Sequence, residues 1–144
     1  MAKIRTTPDN FAKDTLDIFH SYADDVVEAI LDETNQTAED GARQLRNIRM
    51  PDASSNGSAR PMKRRQWNKY SKSWGVIIRE HIGSYQAIVR NAKHYRLTHL
   101  LENGHATRKG TETRAFKHIE PVSEYCEERM VTNIPKIIRK GGKL

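Results

Sequence analysis

The stretch 94-HYRLTHLLENGH-105 is the densest signal in the chain, and the other segments are readily arranged around it. Its apolar side chains recur at i, i+3 and i+4, the spacing that places them on one face of a helix: Leu97, Leu100 and Leu101. Asn103 and Gly104 follow directly, and glycine takes the positive φ that closes many helix C-termini. We therefore predict a short helix closed by Gly104, with Tyr95 packed before it and with His99 and Glu102 nearer its other side.

A longer helix is predicted upstream of this stretch. Asp9 or Asn10 can cap its first turn, and apolar side chains then recur every three or four residues as far as Ile30, with a weaker continuation to Ile48. Such a helix measures about 57 Å. A compact domain formed by a chain of this length is narrower than this helix is long. We expect the second half to overhang the body, to contact another subunit or to break near Gly41.

The remaining pattern is mixed. Residues 73–79 and 85–90 are predicted to form an antiparallel hairpin, and residues 116–119 a further short strand beside it. Pro121 suits the first turn of a last helix, which Pro135 is expected to end or kink. The predicted fold class is α+β, a single domain over residues 1–144. A long N-terminal helix packs on a small antiparallel sheet of about three strands, with a short capped helix and a C-terminal helix.

Charge is unevenly distributed along the chain. The net charge is +7, yet residues 9–40 hold ten acids and one base, whereas residues 43–74 hold nine bases and one acid. The two regions are either solvated faces, or complementary contacts between neighbouring copies, or an acidic face and a basic surface that meets nucleic acid. In the second case, Leu45 and Ile48 would supply apolar affinity. The candidate subunit or DNA contacts are Asp32, Glu33, Arg60, Lys63, Arg64, Arg65, Lys69 and Lys72.

The basic region is predicted to be a flexible loop at about residues 50–70, and a basic tail follows at about 139–144. Residues 50–61 are rich in Ser, Gly and Pro, which bury little apolar surface against the entropy of ordering. Downstream of this stretch, Trp67 and Tyr70 are interleaved with lysine and arginine residues. They either stack on nucleotide bases or anchor a solvated loop to the core. A nucleic-acid-binding protein that uses residues 60–72 is therefore one functional alternative.

Catalysis finds little support in the sequence. His94, His99 and His105 are five and six residues apart, so they do not share a helix face as the i, i+4 histidines of HExxH do. Cys126 is the only cysteine, which excludes an internal disulfide, and it lies on an apolar stripe. Glycine-rich phosphate loops and the nucleophile-elbow pattern are absent. We predict no enzyme, no metal and no cofactor, and a small metal-dependent hydrolase is the weakest alternative.

The central stretch, together with 115-AFKHIEP-121 and 70-YSKSW-74, resembles the HK97 gp10-like family of tailed-phage head–tail and tail-completion proteins. The likeness covers about residues 70–128. Lys117 stands where the family often has proline, and Val122-Ser123 replace its usual alanine. The motif residues are Trp74, Tyr95, Leu97, His99, Leu100, Leu101, Glu102, Asn103, Gly104, His105, His118 and Pro121.

The resemblance implies a structural virion protein rather than an enzyme. By this analogy, copies form a ring at the neck or tail end, and the analogy allows either six or twelve copies. DNA passes through the lumen without sequence-specific contact. The implied partners are other copies, the connector or stopper, and the tail terminator or tail tube. The implied location is the virion, after assembly in the host cytoplasm.

Overall fold

Four helices and one β-hairpin make up the described part of the molecule. The computed structural model describes Thr7, residues 10–51 and residues 62–143. In chain order the elements are α1 (Phe11–Asn47), α2 (Arg64–Ser71), β1 (Trp74–His81), β2 (Ser84–Asn91), α3 (Tyr95–Asn103) and α4 (Glu120–Arg139). This confirms the predicted α+β class and its arrangement.

The long helix α1 is continuous over 37 residues, about 56 Å. Helix α4 runs antiparallel to its second half, and both strands of the hairpin also pack on α1. Gly41 does not break the helix. It is buried where α1 and α4 approach closely, since a Cβ placed there would lie 2.9 Å from Cys126 Sγ.

The overhanging part of α1 is its first half, so the prediction for the second half was wrong. The buried residues of α1 begin at Val26 and end at Leu45. Leu45 belongs to the main core cluster with Trp67, Tyr70, Trp74 and Val122, so it is not available to another subunit. The physical reason is composition: the polar second half contributes small side chains that let α4 and the hairpin approach.

The sheet has two strands in the described part of the chain, not three. β1 and β2 pair in register from Trp74 opposite Asn91 to His81 opposite Ser84. Residues 116–119 do not extend the sheet, because their backbone donors are used elsewhere. Phe116 N–H donates to Leu101 O, and the N–H groups of His118 and Ile119 donate to the carboxylate of Glu102.

Part of the predicted flexible basic loop is a helix. α2 covers residues 64–71, and its Trp67 and Tyr70 are buried in the core. Of the two roles weighed for these aromatics, the structure supports anchoring. Residues 52–61, including Arg60, lie outside the described residues.

Helix α4 carries Pro121 in its first turn, as predicted, but it passes through Pro135 and ends at Arg139. Ile137 is fully buried two residues after the proline, so burial holds the last turn in place. The tail then turns against α1, where Tyr22 Oη donates to Ile138 O at 2.5 Å. Gly142 lies so close to Asp25 that an added Cβ would be 2.5 Å from Asp25 O.

Candidate functional site

The motif carboxylate, Glu102, is buried and caps the start of α4. Its oxygens accept the N–H groups of His118 at 2.8 Å, of Ile119 at 2.9 Å and of Glu120 at 2.9 Å. Burial alone would raise the pKa of this carboxyl, but the three N–H donors and His118 outweigh it and lower the pKa below its ordinary value. Glu102 was expected nearer the side of the helix away from the leucines, but it is buried and contacts His118.

His118 links Glu102 to the aromatic core. Its Nδ1 lies 2.8 Å from Phe116 O and 2.9 Å from Glu102 Oε2, and both are acceptors. Nδ1 therefore carries a proton. Nε2 lies 2.6 Å from Tyr70 Oη and accepts its proton when the imidazole is neutral. Burial, and then the charge of Glu102, raise the pKa of Tyr70. Tyr70 is only 1% exposed, so this chain of hydrogen bonds is closed to a substrate and serves to hold the core.

The motif residues divide into a buried and an exposed set. Trp74, Glu102 and His118 are buried, and Leu100 and Leu101 are partly buried. Gly104 closes α3 with φ 72°, as the positive-φ prediction required. Pro121 is exposed in the first turn of α4. The remaining motif residues are exposed: Tyr95, Leu97, His99, Asn103 and His105.

Asn91 ties the end of α2 to the turn after β2, a role that sequence reasoning missed. Its Nδ2 donates to Tyr70 O at 2.9 Å, and its Oδ1 accepts from Ser73 Oγ at 2.7 Å and from His94 N at 2.8 Å. The side chain is buried with every polar atom bonded. The available signal was a polar residue at the end of a strand, just before a predicted helix.

A basic groove of about 890 Å³ lies where α2 meets the turn before α3. The exposed face of α2 supplies one wall, and the turn supplies the other. Among the predicted contacts, four line the groove, Lys63 lies exposed beside it at the start of α2, and Lys93 and His94 join it from the turn. The lining residues are Arg64, Arg65, Asn68, Lys69, Lys72, Ser73, Lys93 and His94.

The predicted acidic contacts fare differently. Asp32 is exposed, but Glu33 is 2% exposed and is held inside the chain by Arg129 and Asn133. The hydrogen bond from Arg129 is the main cause of a lowered pKa at Glu33. Glu33 is therefore not a contact for another molecule. Its position on the apolar stripe, seven residues after Val26 and four before Thr37, was the signal for burial.

The first half of α1 forms a second candidate surface, the α1 projection, defined as residues 11–25. Large apolar side chains are exposed along it: Phe11, Leu16, Ile18, Phe19 and Tyr22. At about 100° of rotation per residue, they continue the side of the helix that α4 covers further along. Acids such as Asp17 and Asp24 fall on the opposite side. The projection is thus amphipathic, and within the described chain the C-terminal tail covers its apolar face only at Tyr22.

The histidines show no metal centre. His94 lies at the start of α3, His99 is exposed, and His105 Nδ1 lies 3.0 Å from Thr113 Oγ1. Across residues 10–51 and 62–143, no group of three or more His, Cys, Asp or Glu side chains could hold a metal ion.

None of the helices described has the length and apolar character needed to cross a membrane.

Comparisons with known protein families, with curated proteins and with solved structures found no match for this chain.

Proposed function

We propose that this chain is a structural subunit of a tailed bacteriophage, forming an oligomeric ring at the head–tail junction. The observation that carries the proposal is the α1 projection, whose apolar face N-terminal to Tyr22 is exposed in the described chain. Phe19, for example, is 65% exposed although it lies on the side of α1 that is buried from Val26 onward. An exposed apolar patch of this kind marks a protein contact.

The occupant of this face is a second copy of the chain. The face continues the α1–α4 interface without a break, so another copy's helix or sheet can cover it as α4 covers the second half. Burying a large apolar side chain stabilises a complex by about 1.5–3 kcal/mol, so Phe11, Leu16 and Phe19 can supply most of the affinity. A contact between different surfaces of successive copies closes into a ring when the rotation allows.

The acidic face of the projection has a separate role in this arrangement. Because Asp17 and Asp24 lie opposite the apolar residues, both faces cannot meet the same flat surface. We assign the apolar face to the neighbouring copy and leave the acids to solvent or to the rim of the contact, where an ion pair contributes about 0–1 kcal/mol. This differs from the alternative in which the acidic helix of one copy meets the basic region of the next and Leu45 and Ile48 supply the apolar affinity.

The motif residues support a structural rather than a chemical role. Trp74, Glu102 and His118 are motif residues of the resemblance to the HK97 gp10-like family, and all three are buried. Glu102 accepts from His118 N, His118 Nε2 is hydrogen-bonded to Tyr70 Oη, and the ring of Trp74 packs against Tyr70 and His118. By the same analogy, the ring meets the connector or stopper on one side and tail proteins on the other. DNA would pass through the lumen, and the assembled location would be the virion.

Size-exclusion chromatography with light scattering tests the proposal. The purified chain should form a discrete oligomer without nucleic acid. Phe19→Asp should dissociate it, because a charge replaces an apolar contact. Ile82→Asp is the matched control, since Ile82 is a fully exposed apolar residue at the hairpin tip. A monomer at all concentrations, or an oligomer that both variants retain, would contradict the assignment.

A further inference from the structure

We propose that the basic groove between α2 and the turn before α3 binds the phosphodiester backbone of duplex nucleic acid, without reading its sequence. The site differs from the α1 projection and from the contacts that would build a ring. The proposal therefore stands or falls separately from the assembly role.

The groove presents concentrated positive charge. Three cations come from α2 (Arg64, Arg65 and Lys69), Lys72 follows it directly, and Lys93 comes from the facing turn. No carboxylate is among the described residues that line the groove. Within the part of the chain that the structure describes, none of these cations forms an ion pair; the ion pairs use Arg43, Arg46, Lys117, His118 and Arg129. Such a concave, uncompensated cluster attracts a polyanion and releases its counterions.

The cationic wall of α2 follows from its sequence. Trp67, Tyr70 and Ser71 face the core, so the helical period turns Arg64, Arg65, Asn68, Lys69 and Lys72 outward. Successive turns therefore place cations along one exposed face. This arrangement fits a row of phosphates better than a single anion.

The two walls are held together rather than loosely apposed. Asn91 bonds Tyr70 O and Ser73 Oγ on the α2 side and His94 N on the turn side, and Ala92 N donates to Ser73 O at 2.9 Å. Lys72 and Lys93 flank these bonded residues directly. The backbone positions of both walls are thus fixed before any ligand binds, which lowers the entropy cost of binding.

The lining chemistry selects the sugar–phosphate backbone over the bases. Single-strand binders stack bases on exposed aromatic side chains. Here Trp67 and Tyr70, the aromatics of α2, are buried in the core. Lysine and arginine side chains, with Asn68 as an additional hydrogen-bonding group, provide phosphate contacts, which position a duplex without specifying its sequence.

Fluorescence anisotropy with a short labelled DNA duplex tests the proposal, using the full chain. The logarithm of the binding constant should fall linearly with the logarithm of salt concentration, with a slope of about −3 to −4.5 for three to five phosphate contacts. Two duplexes of unrelated sequence should bind alike. Lys69→Ala with Lys72→Ala should weaken binding at least tenfold and reduce the slope by about 2, and Lys93→Ala should reduce it by about 1.

Arg108→Ala with Lys109→Ala is the matched control, because it removes two exposed charges outside the groove. It should leave most of the affinity intact, and all variants should keep the wild-type melting temperature. Equal losses in the control and the groove variants would overturn the site, since net charge alone would then explain binding. Absence of duplex binding would also overturn it. If the groove variants instead lose self-association in light scattering, the occupant is the acidic face of another copy and the proposal fails.

Discussion

Arg129 on α4 and Glu33 on α1 form a two-pronged ion pair, with Arg129 Nε 2.7 Å from Glu33 Oε1 and Nη2 3.1 Å from Oε2. Asn133 Nδ2 donates to the same carboxylate at 2.7 Å, and Arg129 Nη1 also bonds Asp40. The network fixes the position of α4 along α1 at the midpoint of the long helix. The ion-pair network therefore joins the two helices where the apolar pattern of α1 is weakest.

Replacing Glu33 should be far more costly than replacing its neighbour. Glu33→Ala leaves Arg129 without its main partner, and breaking a largely buried pair costs about 3 kcal/mol. Asp32→Ala is the control, since Asp32 is exposed and surface changes of this kind stay within about 0.5 kcal/mol. Urea unfolding gives both values. Equal midpoints for the two variants would show that the network does not hold α4.

Stability should fall in acid. Both Glu33 and Glu102 have a pKa below the ordinary value, in Glu33 chiefly through the hydrogen bond from Arg129. An unfolded glutamate titrates near about 4.3. Below that pH the unfolded chain binds more protons than the folded chain. The stability that Glu33 and Glu102 contribute is therefore fully present above the unfolded pKa of about 4.3. It is lost as the pH falls through their lower folded-state pKa values.

Urea midpoints measured between about pH 7 and about pH 3 should show this loss. Glu33→Gln should be less stable at neutral pH but show a shallower decline in acid, because one of the two titrating groups is gone. Asp32→Asn should keep the wild-type slope. A wild-type decline that Glu33→Gln leaves unchanged would contradict the assignment.

The fold was predictable where apolar spacing or turn residues were strong. The α1 stripe, the alternation in the hairpin, Gly104 and Pro121 each predicted an element and at least one of its boundaries. Helix α2 was missed because its charged residues dominate the pattern, and two aromatics are too few to show a helical period. Pro135 misled because a proline removes one hydrogen bond, whereas the burial of Ile137 depends on partners that local sequence does not reveal.

The site was predictable only in part. The cations of α2 were visible as a basic run, but Lys93 and His94 join them through a long-range contact that Asn91 creates. Glu33 and Glu102 were taken for surface acids because their main donors, Arg129 and Asn133 for Glu33 and residues 118–120 for Glu102, lie at least sixteen positions away. Local sequence gives the charge of a side chain and its period. It does not give the distant donor that makes burial of that charge tolerable.

Two glycines that both have a positive φ should lose different amounts of stability when replaced by alanine. Gly104 has φ 72° and Gly110 has φ 75°, so each substitution carries a conformational cost of about 1 kcal/mol. An added Cβ at Gly104 would also lie 2.5 Å from Thr113 O, whereas no atom of the described residues lies within 4 Å of a Cβ added at Gly110. Gly104→Ala should therefore lower the free energy of unfolding by at least about 1 kcal/mol more than Gly110→Ala. Equal losses in chemical unfolding would remove the packing part of this argument.

The effect of Gly41→Ala on stability should change sign depending on whether Cys126 is present. A Cβ at Gly41 would lie 2.9 Å from Cys126 Sγ and 3.4 Å from Val122 Cγ1, so Gly41→Ala alone should be destabilising. Gly41 has no positive φ, and alanine is favoured over glycine inside a helix by about 1 kcal/mol. In a Cys126→Ala background the sulfur is absent, so the same change should stabilise the chain. A double-mutant cycle from urea unfolding of the four proteins measures the coupling, which should exceed about 1 kcal/mol. Additive effects would mean that α1 and α4 can separate slightly at this crossing without loss, and that Gly41 is not required by the approach of the two helices.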